Sequence, residues 1–328
     1  MYGWWLWVPL RSGVAAGGPG APDLPRRIMV RVGERGGMAA ERKLDGYDRA
    51  DERGLANANP RSGIKLVASD LDGTLLLNGS PKPTAEALEL IERLAARDVP
   101  FFAASGRQYA SLRWLFAPVA DRMGYVCENG ALVMLGDRVL VKHVVPRDLV
   151  LEMCRAIMET PRCEFLASGE RTCYAPQDRL EFIDRLRNFV HNDVTPVARP
   201  EDIDEPVIKV AFRVPHEDQA SVCAQMAERF AGRCRVVVSG QVWLDFLTDG
   251  VDKGTALAEV GQRLDIDPSQ MLAFGDNEND REMLELVGHP YLMRGGNPSL
   301  EGLNDRLRRC DTVEGVLRRL LDMPGALG

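Results

Sequence analysis

The sequence predicts an α/β protein, a parallel sheet covered on both faces by helices, with a smaller α+β block set into it. Two observations carry this. From Ile64 onward, short apolar runs alternate with helical patterns, as strand–helix–strand units require. Between residues 147 and 248 the pattern turns strand-rich with hairpin spacing, and from 249 the first pattern resumes.

The elements follow in order. IKLVASD (64–70) reads as a buried strand. TAEALELIERLAARD (84–98) reads as a helix, with Ala87, Leu88, Leu90, Ile91 and Leu94 on one stripe and Pro83 and Thr84 at its start. VPFFAAS is a second strand ending at Ser105, and YASLRWLFAPVA (109–120) a second helix. YVCENGALVML and RVLVKHVV are strands about the turn GDR. The middle block holds the helix PRDLVLEMCRAIMET, a strand pair in CEFLASGERTCYA, the helix RLEFIDRLRNFV, the strand VIKVAFRV, the helix DQASVCAQMAERFAG and two strands in RVVVSGQVWLDFL. The first pattern then returns with the helix KGTALAEVGQRLD, the strand MLAFGD, the helix NDREMLELVG, a weak strand PYLMR and a terminal helix VEGVLRRLLDM. The predicted organisation is a Rossmann-like core over 63–146 and 249–328, with an α+β domain inserted at 147–248. Residues 1–62 read as a disordered extension, with Met29 or Met38 as alternative starts and a membrane-surface anchor as the lesser reading of MYGWWLWVPL.

Composition narrows the function. A net charge of -7 over 328 residues argues against nucleic acid as the main partner. No apolar run reaches the roughly 20 residues of a membrane span. The seven cysteines form no C-x-x-C pair, and the four histidines show no metal-ligand spacing. These features predict reduced thiols, no zinc site and a cytoplasmic protein.

In a doubly wound sheet, ligands bind beyond the carboxyl ends of the strands. Three predicted strands end there in polar strings: VASDLDGT, AASGR and AFGDNEND. A lysine, Lys253, opens a helix in VDKGTAL. Two carboxylates as close as Asp70 and Asp72 need a cation or a proton between them if buried, and a hard divalent cation takes oxygen ligands. Ser105 and Gly106 could grip an anion or simply cap a helix. Lys253 could neutralise a phosphoryl group or be a surface lysine. Asp276 and Asp280, four apart, can reach one point at a strand–helix junction.

Taken together, the strings DLDGTLL, SGR, ENGA, KG and GDNENDREML resemble the haloacid dehalogenase superfamily. They are most similar to its Cof-type phosphatases, which carry an inserted α+β cap (subclass IIB). The resemblance covers residues 64–320 and departs at YLMRGGNPSL, where relatives often continue with a small-residue strand and an Asn-Ala pair. It implies a Mg²⁺-dependent phosphatase working through an aspartyl phosphate. Asp70 would be the nucleophile and Asp72 the general acid and base. Mg²⁺ would be held by the Asp70 carboxylate, the Asp72 backbone carbonyl and Asp276. Lys253, the Ser105 hydroxyl, the Gly106 and Leu71 backbone N–H groups and Asn279 would cradle the phosphoryl oxygens. Thr74 and Asp280 would stand behind these, Asp280 orienting metal waters or Lys253. Cap residues would choose the substrate, the candidates being exposed polar or aromatic groups in cap turns such as Tyr174, Arg171 and Gln241, while Trp243 and Phe246 would belong to the cap core.

The expected partner is a small phosphorylated metabolite, of the sugar phosphate, flavin or nucleotide precursor, or pyridoxal phosphate class. The chain would be a monomer or homodimer. The alternatives are a phosphotransferase or phosphomutase using the same aspartyl phosphate, and a binding protein without turnover.

Overall fold

The computed structural model describes residues 63–239 and 242–327, together with the backbone of two short strands, β1 (Trp5–Pro9) and β2 (Arg27–Arg31), which pair antiparallel. The rest of the expected 1–62 extension lies outside the described residues, as does Gln241.

In chain order, the elements after β2 begin with β3 (Leu66–Asp70), α1 (Ala85–Ala95), β4 (Phe101–Ala104), α2 (Tyr109–Leu115), β5 (Gly124–Cys127), β6 (Leu132–Leu135) and β7 (Arg138–Lys142). The middle of the chain holds α3 (Arg147–Glu159), β8 (Glu164–Ser168), β9 (Cys173–Pro176), α4 (Leu180–Asn188), β10 (Val194–Val197), β11 (Lys209–Arg213), α5 (Gln219–Arg229), β12 (Arg235–Val238) and β13 (Trp243–Leu247). The remainder is α6 (Lys253–Leu264), β14 (Met271–Gly275), α7 (Arg281–Leu286), β15 (His289–Met293), β16 (Arg308–Cys310) and α8 (Val313–Asp322).

These strands form two further sheets. An eight-stranded sheet has the order β16-β15-β14-β3-β4-β5-β6-β7. It is parallel from β16 to β5 and antiparallel across β5–β6–β7. All five residues of β3 are buried, which is why the strand reads as a continuous apolar run rather than an alternation. Alternate residues of the central strands divide the core. Val67, Phe101 and Ala103 join α1 and α8 through Leu90, Ile91 and Leu317 on one face. Leu66, Ala68 and Phe102 meet Leu257 and Val260 of α6 and Leu284 of α7 on the other. Full burial of a side chain such as Leu90 stabilises by about 2 kcal/mol. Thr84 starts α1 by accepting from the Ala87 N–H at 3.0 Å, and its hydroxyl donates to Glu314 of α8 at 2.8 Å.

The second sheet has six strands in the order β10-β9-β8-β11-β13-β12 and draws them from residues 164–247. Phe165, Val210, Phe212 and Phe246 pack under α3 and α5 on one face. On the other, Leu166, Ala175 and Ala211 meet Phe182, Ile183 and Leu186 of α4.

Several local expectations change. The helix predicted over 109–120 ends at Leu115, short of Pro118, whose ring and missing N–H disfavour continuation. The strand predicted through YVCENGALVML divides into β5 and β6 because Glu128 and Asn129 adopt positive φ (52° and 56°) and reverse the chain. β10 and β16 were not expected. β10 (VTPV) carries a proline and lies on an edge of its sheet, and β16 has only three residues. All seven cysteines are free, as their spacing predicted. Among the described residues no helix is long and apolar enough to cross a membrane.

Candidate active site

β14 pairs in parallel with β3, Phe274 opposite Ser69, so both strands release their next residues at the same sheet edge. Asp70 closes β3 and Asp276 follows β14. A short turn, Glu278–Asp280, brings Asp280 back to the same point. Carboxylate oxygens of Asp70, Asp276 and Asp280 lie within 4.8 Å of one another.

Lys253 completes the cluster. It is the first residue of α6, held there by a reciprocal cap in which Asp252 accepts from the Thr255 N–H at 2.7 Å and Thr255 accepts from the Asp252 N–H at 3.0 Å. Its Nζ donates to Asp70 Oδ1 at 2.5 Å and to Asp280 Oδ1 at 2.7 Å, with the side chain 1% exposed. The second oxygen of Asp280 accepts the backbone N–H groups of Asp276 at 2.9 Å and Asn277 at 3.1 Å. Both Asp280 oxygens are therefore engaged, and its geometry is that of a brace on Lys253 and on the loop after β14. Thr74 donates to Asp276 Oδ1 at 3.0 Å.

The electrostatics show what the cluster lacks. If all three carboxylates ionise, one ammonium leaves them two negative charges in excess in a largely buried place. Burial pushes the Asp70 carboxyl up to about 8; Lys253 pulls against the rise, and Asp280 and Asp276 add to it. Burial also raises Asp276, against the Thr74 hydrogen bond and with the help of Asp280. Burial opposes the charge on Lys253, but Asp280 and Asp70 outweigh it and hold the ammonium above its usual range. A charge deficit of two, bounded by hard oxygen donors, fits a divalent cation such as Mg²⁺.

Asp72 stands outside this cluster. Its carboxylate is 64% exposed and is clasped by Arg107, Nη2 to Oδ1 at 2.6 Å and Nε to Oδ2 at 3.2 Å. Gly73 makes the turn between the two acids. Its φ is +95°, and a Cβ there would lie 2.4 Å from Asp276 Oδ2. Gly73→Ala is therefore expected to push Asp276 aside and to lower kcat by about a hundredfold, the scale of an ångström-level misplacement. Steady-state kinetics beside a thermal melt checks this. The melt is expected to change far less than the rate.

Ser105 follows β4, the neighbour of β3, and is buried; its N–H donates to Val126 O at 2.8 Å. Its Oγ accepts the Arg107 N–H at 3.3 Å. Gly106 packs against Asn129, whose Oδ1 would lie 3.1 Å from a Cβ at 106. Leu71 is buried, and Asn279 is exposed in the turn that carries Asp280. The structure thus unites Asp70, Thr74, Lys253, Asp276 and Asp280, and leaves Asp72 and Asn279 more open to solvent.

The second sheet alters one expectation. Tyr174 is not a substrate-facing group: it is 1% exposed, and its hydroxyl donates to Asp204 and to Glu205, the latter at 3.2 Å. An aromatic in a strand pairs its hydroxyl inside the fold when burial is available. Arg171 is exposed beside Glu205, and Phe246 is buried, as expected of a core residue. Sequence reasoning did not find Arg107, Asn129 or Lys209. Signals for them existed: the arginine of SGR, the ENG string and a charge inside the apolar run VIKVAFRV.

The model of the haloacid dehalogenase-like hydrolase family matches residues 67–320. The chain is 23% identical over 262 residues to a 5-amino-6-(5-phospho-D-ribitylamino)uracil phosphatase of Escherichia coli, covering 78% of this chain and 97% of that protein. It is 29% identical over 248 residues to an HMP-PP phosphatase of Serratia proteamaculans, covering 74% and 89%. A solved sugar phosphatase of subclass IIB, 20% identical, shares the fold with a TM-score of 0.63, covering 78% of this chain and 99% of that one. The chain belongs to the haloacid dehalogenase-like hydrolases and has the fold of their subclass IIB.

Proposed function

We propose that this protein is a Mg²⁺-dependent phosphatase that hydrolyses small phosphorylated metabolites through an aspartyl phosphate on Asp70. The observation that carries the reading is the buried Asp70–Lys253–Asp280 arrangement with Asp276 beside it, at the carboxyl ends of adjacent parallel strands. In this reading residues 63–146 and 249–328 are the catalytic core and 147–248 the cap.

An Asp70 oxygen attacks phosphorus as the bond from phosphorus to the leaving oxygen breaks. Asp72 gives its proton to the leaving alkoxide. It then takes a proton from the water that attacks the aspartyl phosphate, which releases inorganic phosphate and restores Asp70. Lys253, the Ser105 hydroxyl, the Gly106 and Leu71 N–H groups and Asn279 hold the phosphoryl oxygens as charge spreads over them. Thr74 orients Asp276, and Asp280 orients Lys253. The Asp70 and Asp276 carboxylates and the Asp72 backbone carbonyl would hold Mg²⁺, which would supply positive charge where nucleophile and phosphate repel. Two of the curated relatives are named as phosphatases of 5-amino-6-(5-phospho-D-ribitylamino)uracil and of HMP-PP, which supports a small phosphorylated substrate without choosing one.

The test is phosphate release from an aryl phosphate and a panel of phosphorylated metabolites, with Mg²⁺ and with chelator. Release is expected only with the metal, to water rather than to an added sugar acceptor. Release that persists in chelator overturns the metal assignment, and transfer to the sugar overturns hydrolysis as the reaction.

A further inference from the structure

The phosphoryl-binding loop is held by a cation from the other sheet. Lys209, in β11, is 6% exposed, and its Nζ donates to Gly106 O at 2.9 Å. The same ammonium pairs with Glu128 and with Asp245 Oδ2 at 3.4 Å. Glu128 and Asp245 are 4% and 3% exposed, so the ions meet almost without water. Asp245 also accepts from Ser239 Oγ at 2.7 Å and from Asn129 Nδ2 at 3.3 Å. Burial opposes the charge on Lys209, but Asp245 and Glu128 outweigh it and hold the ammonium charged.

The chain of contacts leads into the site. Gly106 O and the Arg107 N–H belong to one peptide unit, so a cation on the oxygen fixes and polarises that N–H. The N–H in turn donates to Ser105 Oγ at 3.3 Å. With one acceptor site of Ser105 so engaged, its own proton is left to donate to an anion that binds at the strand ends. The 128–129 turn ties the same loop from behind: Glu128 N–H to Arg107 O at 3.1 Å and Asn129 N–H to Ser105 O at 3.0 Å. Asn129 needs its positive φ of 56° to do this while its amide reaches Asp245.

We propose that Lys209 is a positioning residue for phosphate binding: seated on Gly106 O, it sets the Ser105–Arg107 loop and makes that loop's order depend on the six-stranded sheet being in place. The inference rests on the reading of Ser105 and Gly106 as phosphoryl ligands given above. The residue's worth is then read in anion affinity rather than in chemistry. Hydrogen bonds to charged groups in dry surroundings are the strong ones, so the effect is large enough to measure.

The test uses the full chain with Mg²⁺, an aryl phosphate as substrate and inorganic phosphate as competitive inhibitor. Lys209→Met is expected to raise KM and the inhibition constant for inorganic phosphate together, about tenfold (a free-energy change of ~1.4 kcal/mol), with a smaller change in kcat. Lys209→Arg is expected to recover most of the loss. Because Lys209→Met leaves two buried carboxylates unpaired, the triple variant Lys209→Met, Glu128→Gln, Asp245→Asn serves as its folded counterpart. It is expected to melt near the wild type and still bind phosphate about tenfold more weakly. A triple variant with wild-type phosphate affinity overturns the proposal, because Lys209 would then act only as a counter-charge. Unchanged affinity in folded Lys209→Met overturns it as well. In both cases the phosphatase reading stands, since wild type still turns over. A wild-type protein that neither hydrolyses the ester nor binds phosphate removes both.

Discussion

Asp70→Asn is expected to lower kcat by more than about a thousandfold, the scale on which loss of a covalent nucleophile is felt. The substitution is nearly isosteric, so the effect is chemical. Asn keeps an oxygen that can accept from Lys253, now 2.5 Å from Asp70 Oδ1, but its amide does not form an acyl phosphate. The fold is expected to tolerate it. The cluster carries more carboxylates than its one ammonium balances, and removing one charge relieves that excess. Phosphate release by wild type and variant, each with a thermal melt, checks this. A variant that melts normally and retains a tenth of wild-type kcat would rule out Asp70 as nucleophile.

Lys253→Met is expected to give the largest loss of stability of any single change in the site. Lys253 is 1% exposed and lies between Asp70 and Asp280, with Asp276 close by. Met matches its length but leaves three carboxylates facing one another in a buried cluster. Removing one partner of a buried ion pair costs about 3–5 kcal/mol, because the remaining charge is left without compensation. For a chain of this size that is a fall of about 10 °C in Tm. Lys253→Met also carries a metal-dependent signature. Millimolar Mg²⁺ is expected to raise the Tm of Lys253→Met more than that of wild type, since the cation then compensates charge that the lysine no longer does. Melting curves with and without Mg²⁺ check both parts. An equal or smaller Mg²⁺ effect in the variant contradicts the assignment of the acidic cluster as the metal site. Activity is expected to fall as well, because the fixed cation beside the phosphoryl group is gone.

Much of this was legible in the sequence, for physical reasons that differ by element. β3, β4 and β14 were found because strands buried on both faces must be apolar throughout. α1, α6 and α8 were found because a helix with one buried face carries its apolar residues at fixed spacing. Asp70, Asp276 and Asp280 lie together because adjacent strands of a parallel sheet release their next residues at one edge, and the start of α6 brings Lys253 to the same point. What escaped was set by contacts between distant segments. β10 is a four-residue edge strand with a proline, and only its pairing with β9 identifies it. Tyr174 looked like a polar turn residue until Asp204 and Glu205 arrived to take its hydroxyl. Arg107 was visible in its string, but not its clasp on Asp72, 35 positions away. Lys209 lay within the strand VIKVAFRV with no role assigned to it. Its hydrogen bond goes to Gly106 O, 103 residues earlier, which no local pattern can report.

The clasp of Arg107 on Asp72 also bears on how the cap would work. Gln108, next in the chain, reaches the other segment: its amide donates to Asp193 O at 3.2 Å and accepts the Asp193 N–H at 2.9 Å. Ser111 donates to Val190 O at 2.6 Å. The loop after β4 therefore touches the second sheet's segment at several points within a few residues of Ser105. A cap that closes over a site has its contacts where closure changes the chemistry.

The account stands on one covalent event, transfer of phosphorus to Asp70. The direct measurement is to quench turning-over enzyme and trap acyl phosphate with borohydride, which reduces it to an alcohol, then to map the modified residue by mass spectrometry. The account predicts that residue 70 alone becomes homoserine, only when substrate and Mg²⁺ are both present. Reduction at another carboxylate, or none at all while phosphate is being released, would contradict it.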